Sequence, residues 1–198
     1  MSDDTALVFA DLTDAFGELE AARGSPKQVR REFSRFVGLT QRLTAAMRKD
    51  FSANRGGAWV ASRFSGWNGV TELFKVLRNE EEHQHPIFLS VHERRFYALP
   101  GQPNQIFPFE GTWVLSDQLT ESPIGGVINF YPNDPVSGQA TEPVAPVRVE
   151  YLYLVQPRTA AIRKRLHAIG ATDVHVLSKA CLTTLSEYYE YFRLQMSA

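Results

Sequence analysis

The chain has 198 residues, enough for one domain or two small ones with a buried core. Apolar residues make up 43% and charged residues 22%, which excludes a disordered or fibrous protein. No apolar run approaches the roughly 20 residues of a membrane span, and the first residues are acidic where a signal peptide is basic. The single cysteine, Cys181, excludes an internal disulfide and is expected to be a small core residue. Together these features predict a cytoplasmic protein without a membrane segment.

Proline divides the chain, because ten of its eleven prolines lie between positions 86 and 157. Proline lacks a backbone N–H and clashes with the preceding helical turn, which excludes long helices from this stretch. The sequence therefore predicts a mainly α protein, α+β overall. Residues 1–85 and 158–198 are expected to form a four- or five-helix bundle, and residues 86–157 a β-rich insertion.

The first two predicted helices follow each other closely. An apolar stripe predicts a helix over about residues 5–22, which Gly24 closes. The second helix begins with Ser25 as N-cap and Pro26 at its first position, and Gln28 completes a capping box.

Charge separates these two helices. Residues 1–22 carry six acidic and no basic residues, whereas residues 23–49 carry eight basic residues against one glutamate. Either the two helices attract each other as an antiparallel pair, or the basic helix also presents a face to phosphates. On the second hypothesis the candidate RNA contacts are Arg31, Arg35 and Arg42.

A third helical region is predicted after Gly57, over aromatic residues 59–67 and the apolar stripe that ends at Leu77, either as one helix that Gly66 and Gly69 weaken or as two helices that meet at the segment SGWNG. In the β-rich part, IFLSVHERRFYALP predicts two strands around a tight turn near residues 92–94. Three further strands are predicted, TWVLSD, GVINFY and VRVEYLYLV, and the last is expected to be covered on both faces.

Two helices are predicted at the C-terminal end of the sequence. A short helix over residues 159–168 ends at Gly170, and a long helix begins at Asp173 as N-cap and ends near Gln195. The tyrosines of the segment EYYEYF lie at helical spacing in the long helix. We expect them in the core rather than in a platform for stacking bases.

The segment Arg78-Asn79-Glu80-Glu81-Glu82-His83 carries groups suited to RNA cleavage. Histidine can take the proton of a ribose 2′-OH or protonate the leaving oxygen, arginine binds phosphate oxygens through its planar fork, and an asparagine amide can orient either partner. Arg78 and His83 are five residues apart and diverge by roughly 140° on a helix. Two chains related by a two-fold axis can bring both groups to one phosphate.

This segment resembles the signature of the HEPN superfamily (higher eukaryotes and prokaryotes nucleotide-binding domains), an arginine and, four to six residues later, a histidine, with a polar residue, often asparagine, directly after the arginine. The resemblance covers the helical parts only. It implies an all-helical, typically dimeric bundle and, in many members, a metal-independent ribonuclease with a composite site at the dimer cleft. Such proteins are common in toxin–antitoxin and phage-defence systems, often beside an antitoxin of nucleotidyltransferase type. Other members are inactive binding modules.

We therefore expect a HEPN-type endoribonuclease that acts on RNA as a homodimer, without a metal or a cofactor. Arg78, Asn79 and His83 are its expected catalytic residues, although His85 also has a permitted spacing from Arg78. The alternative is a non-catalytic HEPN-like domain whose β-rich insertion binds a protein partner. The motif is also explained as a solvated helix end, where Arg78 and Glu82 form an i,i+4 pair.

Three consecutive carboxylates, Glu80, Glu81 and Glu82, stand inside this motif. If all of them faced the site, they would repel RNA there. A metal site formed by Glu81, His83 and His85 is disfavoured, because a His-x-His pair shares a face on a strand and not on a helix.

Overall fold

The computed structural model describes residues 3–59, 64–83, 87–99, 102–115, 121–124 and 146–197; of residues 3, 83, 99, 102–115 and 121–124 it describes the backbone alone. The described part is mainly α-helical. Its helices are α1 (Asp3–Ala21), α2 (Pro26–Arg55), α3 (Gly69–His83), α4 (Ala160–Ile169) and α5 (Val174–Ser197). Its strands are β1 (Leu89–Leu99), β2 (Gln102–Leu115), β3 (Glu121–Ile124) and β4 (Arg148–Val155).

Helices α1 and α2 are antiparallel and are joined by one 3₁₀ turn, Ala22–Gly24. Pro26 occupies the start of α2 as predicted, but the predicted capping box is wrong: the Ser25 side chain makes no capping hydrogen bond. In a capping box, the Gln28 side chain would accept a hydrogen bond from the Ser25 backbone N–H. That N–H instead donates to the Ala22 carbonyl oxygen, 2.8 Å away. The 3₁₀ turn that precedes α2 therefore takes the place of the predicted cap.

Helix α3 begins later than the aromatic pattern predicts. Residues 64–68 form a turn and irregular backbone, so a continuous helix through the segment SGWNG is wrong. The rings of Phe64 and Trp67 pack against Tyr188 of α5 instead, with centroids 5.2 Å away in both cases. Asn68 then caps α3: its Oδ1 accepts from the Val70 N–H at 2.9 Å.

The strands form one antiparallel sheet in the order β3-β2-β1-β4. The predicted hairpin with a turn at residues 92–94 is wrong, because β1 runs through these residues as one strand of 11. Arg94 lies opposite Glu110 of β2 and Glu150 of β4, so acidic neighbours on both sides favour extended backbone at this basic segment. The predicted strand GVINFY lies outside the described residues.

The sheet shares the hydrophobic core of the helices. Leu89, Val91, Tyr153 and Val155, all at most 2% exposed, belong to the same buried cluster as the apolar faces of α1, α2, α3 and α5. The opposite face of β4 is not covered as predicted, since Leu152 is 48% exposed. The strands are thus part of the bundle's packing, and one sheet face points away from it.

The two C-terminal helices agree with their predicted limits. Gly170 caps α4 in the left-handed conformation, with φ of 73°, and Asp173 caps α5 by accepting from the Val176 N–H at 2.8 Å. Cys181 is fully buried, which raises the pKa of its thiol and confirms it as a core residue. Among the helices described here, none combines the length and apolar character that a membrane crossing requires.

Candidate active site at the end of helix α3

Packing against α2 and α5 fixes the position of α3. Phe74 is fully buried and its ring meets Phe33 and Phe36 of α2 edge to face, with centroids 5.9 and 5.6 Å away. At the other end, the Asn68 amide donates to Thr184 of α5 at 2.9 Å. The last two turns of α3, which carry the motif, therefore project from a rigid support.

Arg78 and Asn79 lie on the outer face of α3. Asn79 is exposed, and Arg78 is partly exposed and forms an ion pair with Glu82 one turn later. This is the i,i+4 pair that the sequence predicts. His83 is the last residue of α3; its side chain, and the whole of His85, lie outside the described residues.

Glu81 points the opposite way, toward α2. The Ser34 hydroxyl donates a hydrogen bond to its carboxylate, and Arg30 lies close enough to act on it electrostatically. Burial raises the pKa of Glu81, while the Ser34 hydrogen bond and the Arg30 charge oppose this effect. Glu81 is therefore a half-buried group that links α3 to α2.

Glu80 is turned toward α4, on the other flank of α3. Its carboxylate accepts from the Thr159 hydroxyl, and the Thr159 Oγ1 in turn accepts from the Ile162 N–H at 3.3 Å as the N-cap of α4. The motif helix thus fixes the start of α4.

The three carboxylates of the motif are consequently dispersed. Successive helical residues differ by about 100°, which sends Glu80 and Glu81 to different neighbours. Glu82 alone shares the outer face with Arg78, and it is paired there. The three carboxylates therefore do not form one acidic face, and the repulsion of RNA expected from such a face does not apply.

The basic face of α2 is largely engaged with carboxylates. Arg31 pairs with the buried Glu32 at 2.8 Å, and Arg35 pairs with Glu18 of α1 and with Glu32. Arg42 is exposed and has no ion pair with any described residue. These contacts favour the hypothesis of an antiparallel electrostatic pair for Arg35; the RNA contacts of the three arginines stay predictions.

A second basic surface, which the sequence analysis missed, lies on α4 and on the residues directly before it. It consists of Arg158, Arg163, Lys164 and Arg165, and we call it the α4 basic surface. No Asp or Glu occurs between positions 151 and 172, and this local absence of acids is the signal that would have found it. Helix α4 runs antiparallel beside α3, since Thr159 meets Glu80 and Arg165 lies 3.8 Å from Glu72.

His175 is a buried titratable residue that the sequence analysis also missed. Its Nδ1 lies 2.9 Å from Glu20 of α1, and its Nε2 and the Ser178 hydroxyl have no hydrogen-bond partner among the described residues. Burial acts to raise the pKa of Glu20, but hydrogen bonds and charge from Arg23 and His175 outweigh it and lower the pKa. His175 is 4% and Ser178 0% exposed, so substrate cannot reach them, and the contact joins α1 to α5.

Comparison of the chain with protein-family models, with curated proteins and with solved structures gives no match. Within the described ranges no cluster of three or more His, Cys, Asp or Glu side chains is arranged to hold a metal ion. The site is therefore defined by its own residues: a partly exposed guanidinium, an exposed amide and a terminal histidine on one helix, flanked by α2 and α4.

Proposed function

We propose that this chain is a metal-independent endoribonuclease of HEPN type, whose active site is composed at a homodimer interface. Arg78 of one subunit and His83 of the other meet at the scissile phosphate. A toxin or phage-defence setting, with an antitoxin of nucleotidyltransferase type, belongs to the same proposal.

The dispersal of the motif's carboxylates carries this proposal. Glu80 is bonded to Thr159 and Glu81 to Ser34, which leaves the outer face of α3 with Arg78, Asn79 and the paired Glu82. A polyanion can approach such a face, because its net charge is near zero rather than strongly negative.

The Arg78–Glu82 pair is compatible with phosphate binding. Its side chains are 33% and 42% exposed, and an ion pair of this exposure is worth about 0–1 kcal/mol. A phosphate that offers two oxygens to the guanidinium can replace the carboxylate at little cost. Arg78 would then stabilise the negative charge of the transition state.

His83 supplies the proton transfer in this proposal, as general base toward the 2′-OH or general acid toward the leaving 5′-oxygen. Asn79 lies four residues before His83, on the same side of the helix, and its amide can orient substrate or imidazole. The reaction releases a 2′,3′-cyclic phosphate and a 5′-hydroxyl without a metal or a cofactor.

Cleavage of single-stranded RNA in EDTA is the direct test. We expect the wild type to cleave, His83→Ala to lose all cleavage and Arg78→Ala to lose most of it, with unfolding curves unchanged. Glu82→Gln removes the competitor of the phosphate and is expected to increase cleavage. Glu187→Gln, which removes an exposed carboxylate of α5, is the matched control and should have no effect.

Mixing inactive variants tests the composite site. Alone, His83→Ala subunits are expected to be inactive and Arg78→Ala subunits to retain little activity. Equal mixing should restore about a quarter of wild-type activity, because half of the dimers are mixed and each regains one of two sites. A mixture without activity, beside an active wild type, would place both groups in one subunit.

A non-catalytic interaction domain is the second candidate, and the outer face of the sheet favours it. A groove of about 500 Å³ crosses β1 and β4 there, lined by His92, Arg94, Glu150, Leu152 and Leu154 among others. Its exposed leucine is the kind of apolar anchor on which protein partners pack. RNA left intact by purified wild type would favour this candidate, whereas an adjacent reading frame of nucleotidyltransferase type would favour the toxin.

A further inference from the structure

The α4 basic surface is exposed and poorly neutralised. Arg158, Arg163 and Lys164 are exposed, and none of them forms an ion pair within the described residues. Arg165 is the exception, and its distance of 3.8 Å to Glu72 makes a loose pair. Positive charge here is available to a ligand.

This surface is also held in place relative to α3. The Arg158 guanidinium stacks on the Phe88 ring, 4.1 Å from its centroid, and Thr159, the next residue, is bonded to Glu80 of the motif. Asn79 lies seven residues after Glu72, only about 20° away around the helix, so it shares the flank of α3 that faces α4. The start of α4, with Arg158, therefore lies beside the flank of α3 that carries Asn79 and Glu80, whereas Arg78 lies about 160° from Glu80 around the helix.

From this arrangement we infer that the α4 basic surface binds the phosphate backbone of the single-stranded RNA whose scissile phosphate lies at Arg78. The inference rests on the proposed function for the position of that phosphate. Cations that contact phosphates beside a cleavage site position the strand without selecting its sequence. The substrate class is thus a single strand that extends over at least α3 and α4.

A membrane surface is a poorer ligand for α4. A helix that binds lipid inserts an apolar face between the headgroups, but the large apolar residues of α4 face the core: Ile162 and Leu166 are 2% and 4% exposed, and the partly buried Ile169 packs against the core. Besides the cations, the exposed positions of α4 are alanines and His167. These residues offer a protein partner no large apolar anchor. A flexible polyanion is therefore the ligand that best matches the exposed cations of α4.

The test measures binding apart from cleavage. A fluorescent 2′-O-methyl oligoribonucleotide has no free 2′-OH, so wild-type protein can bind it without cutting it. We expect Arg163→Gln/Lys164→Gln to weaken its binding about 20-fold at 0.1 M salt and to reduce the salt slope by about 1.4, since each lost contact releases about 0.7 counterion less.

The matched control is Lys49→Gln/Lys179→Gln, which makes the same change in net charge at exposed positions of α2 and α5. It should leave affinity and slope within about twofold of wild type. Equal losses in both double variants would mean a general charge effect and would overturn the inference. Binding to vesicles containing phosphatidylserine, with none to the oligonucleotide, would overturn it as well.

The inference and the proposed function fail in different ways. An α4 variant that binds the oligonucleotide as well as wild type, while wild type cleaves RNA, overturns the inference and leaves the nuclease standing. Wild type that binds through α4 but never cleaves overturns the nuclease and supports α4 as the binding surface.

Discussion

Helices α2 and α4 are both basic, yet they use their charge differently. On α2, Arg31 and Arg35 are committed to Glu32 and Glu18, within the pair that α1 and α2 form. On α4, Arg163 and Lys164 face solvent without an acidic partner in the part of the chain that the structure describes. Part of the charge of α2 therefore serves the packing of helices, whereas Arg42 of α2 and Arg163 and Lys164 of α4 form no ion pair with a described residue.

The difference shows that the number of basic residues in a helix is a poor guide to a binding surface. A surface ion pair contributes about 0–1 kcal/mol and cancels the field that a ligand would meet. Helix α2 carries more cations than α4, but Arg31 and Arg35 have carboxylates from two helices beside them. Substitutions distinguish charges that stabilise the fold from charges that are exposed to a ligand, and their expected effect on the free energy of unfolding decreases from Phe36 to α4.

Helix α2 should tolerate change least at its buried face. Phe36 is fully buried and contacts Phe16 and Phe74, so we expect Phe36→Ala to cost about 3–5 kcal/mol of unfolding free energy. Urea denaturation measures this loss. Phe36→Leu keeps most of the volume and should cost clearly less; equal losses in the two variants would contradict an effect of the cavity.

Glu32 should be the next most sensitive position, because it neutralises two arginines from a buried site. We expect Glu32→Gln to cost about 1 kcal/mol at pH 7. Burial acts to raise the pKa of Glu32, but hydrogen bonds and charge from Arg31 and Arg35 outweigh it and lower the pKa.

The sign of the pH dependence at Glu32 follows from this lowered pKa. The carboxylate's contribution is present above its ordinary value of 4.5 and is lost as pH falls through the lowered pKa of the folded state. Denaturation curves of the wild type and of Glu32→Gln should therefore converge in acid. A gap that persists at low pH would indicate altered packing rather than lost charge.

Glu81 should respond with the opposite sign. Burial raises its pKa, so its contribution to stability is present below 4.5 and is lost as pH rises through the raised folded-state pKa. We expect Glu81→Gln, which still accepts from Ser34, to be slightly more stable than wild type at pH 7. Thermal unfolding at pH 4 and 7 measures the change; a variant less stable at pH 7 would show that the Arg30 charge dominates.

The smallest effect is expected on α4. Arg163→Gln/Lys164→Gln removes exposed charge that takes part in no contact, so the unfolding free energy should stay within about 0.5 kcal/mol of wild type. The same denaturation experiment checks it. A larger loss would mean that these cations are structural, and the distinction between α2 and α4 would disappear.

Sequence patterns predicted the elements whose signals are local. Gly170 and Asp173 mark helix limits because the left-handed cap and the side-chain cap depend only on residues nearby. The hairpin near His92 was mispredicted because β1 is a central strand, and its two neighbours lie far away in the sequence. The aromatic segment before α3 was mispredicted because its rings bind Tyr188 of α5.

The candidate site divides in the same way. Residue types and spacing alone identified Arg78, Asn79 and the i,i+4 partner of Arg78, Glu82. The sequence by itself determined a mainly α chain, the position of its β-rich part and the motif at the end of a helix, because periodicity, caps and proline act over a few residues. Only the tertiary structure decided that Glu80 and Glu81 turn toward α4 and α2, and which basic residues are paired with carboxylates. Both depend on partners distant in sequence that packing brings within hydrogen-bonding distance.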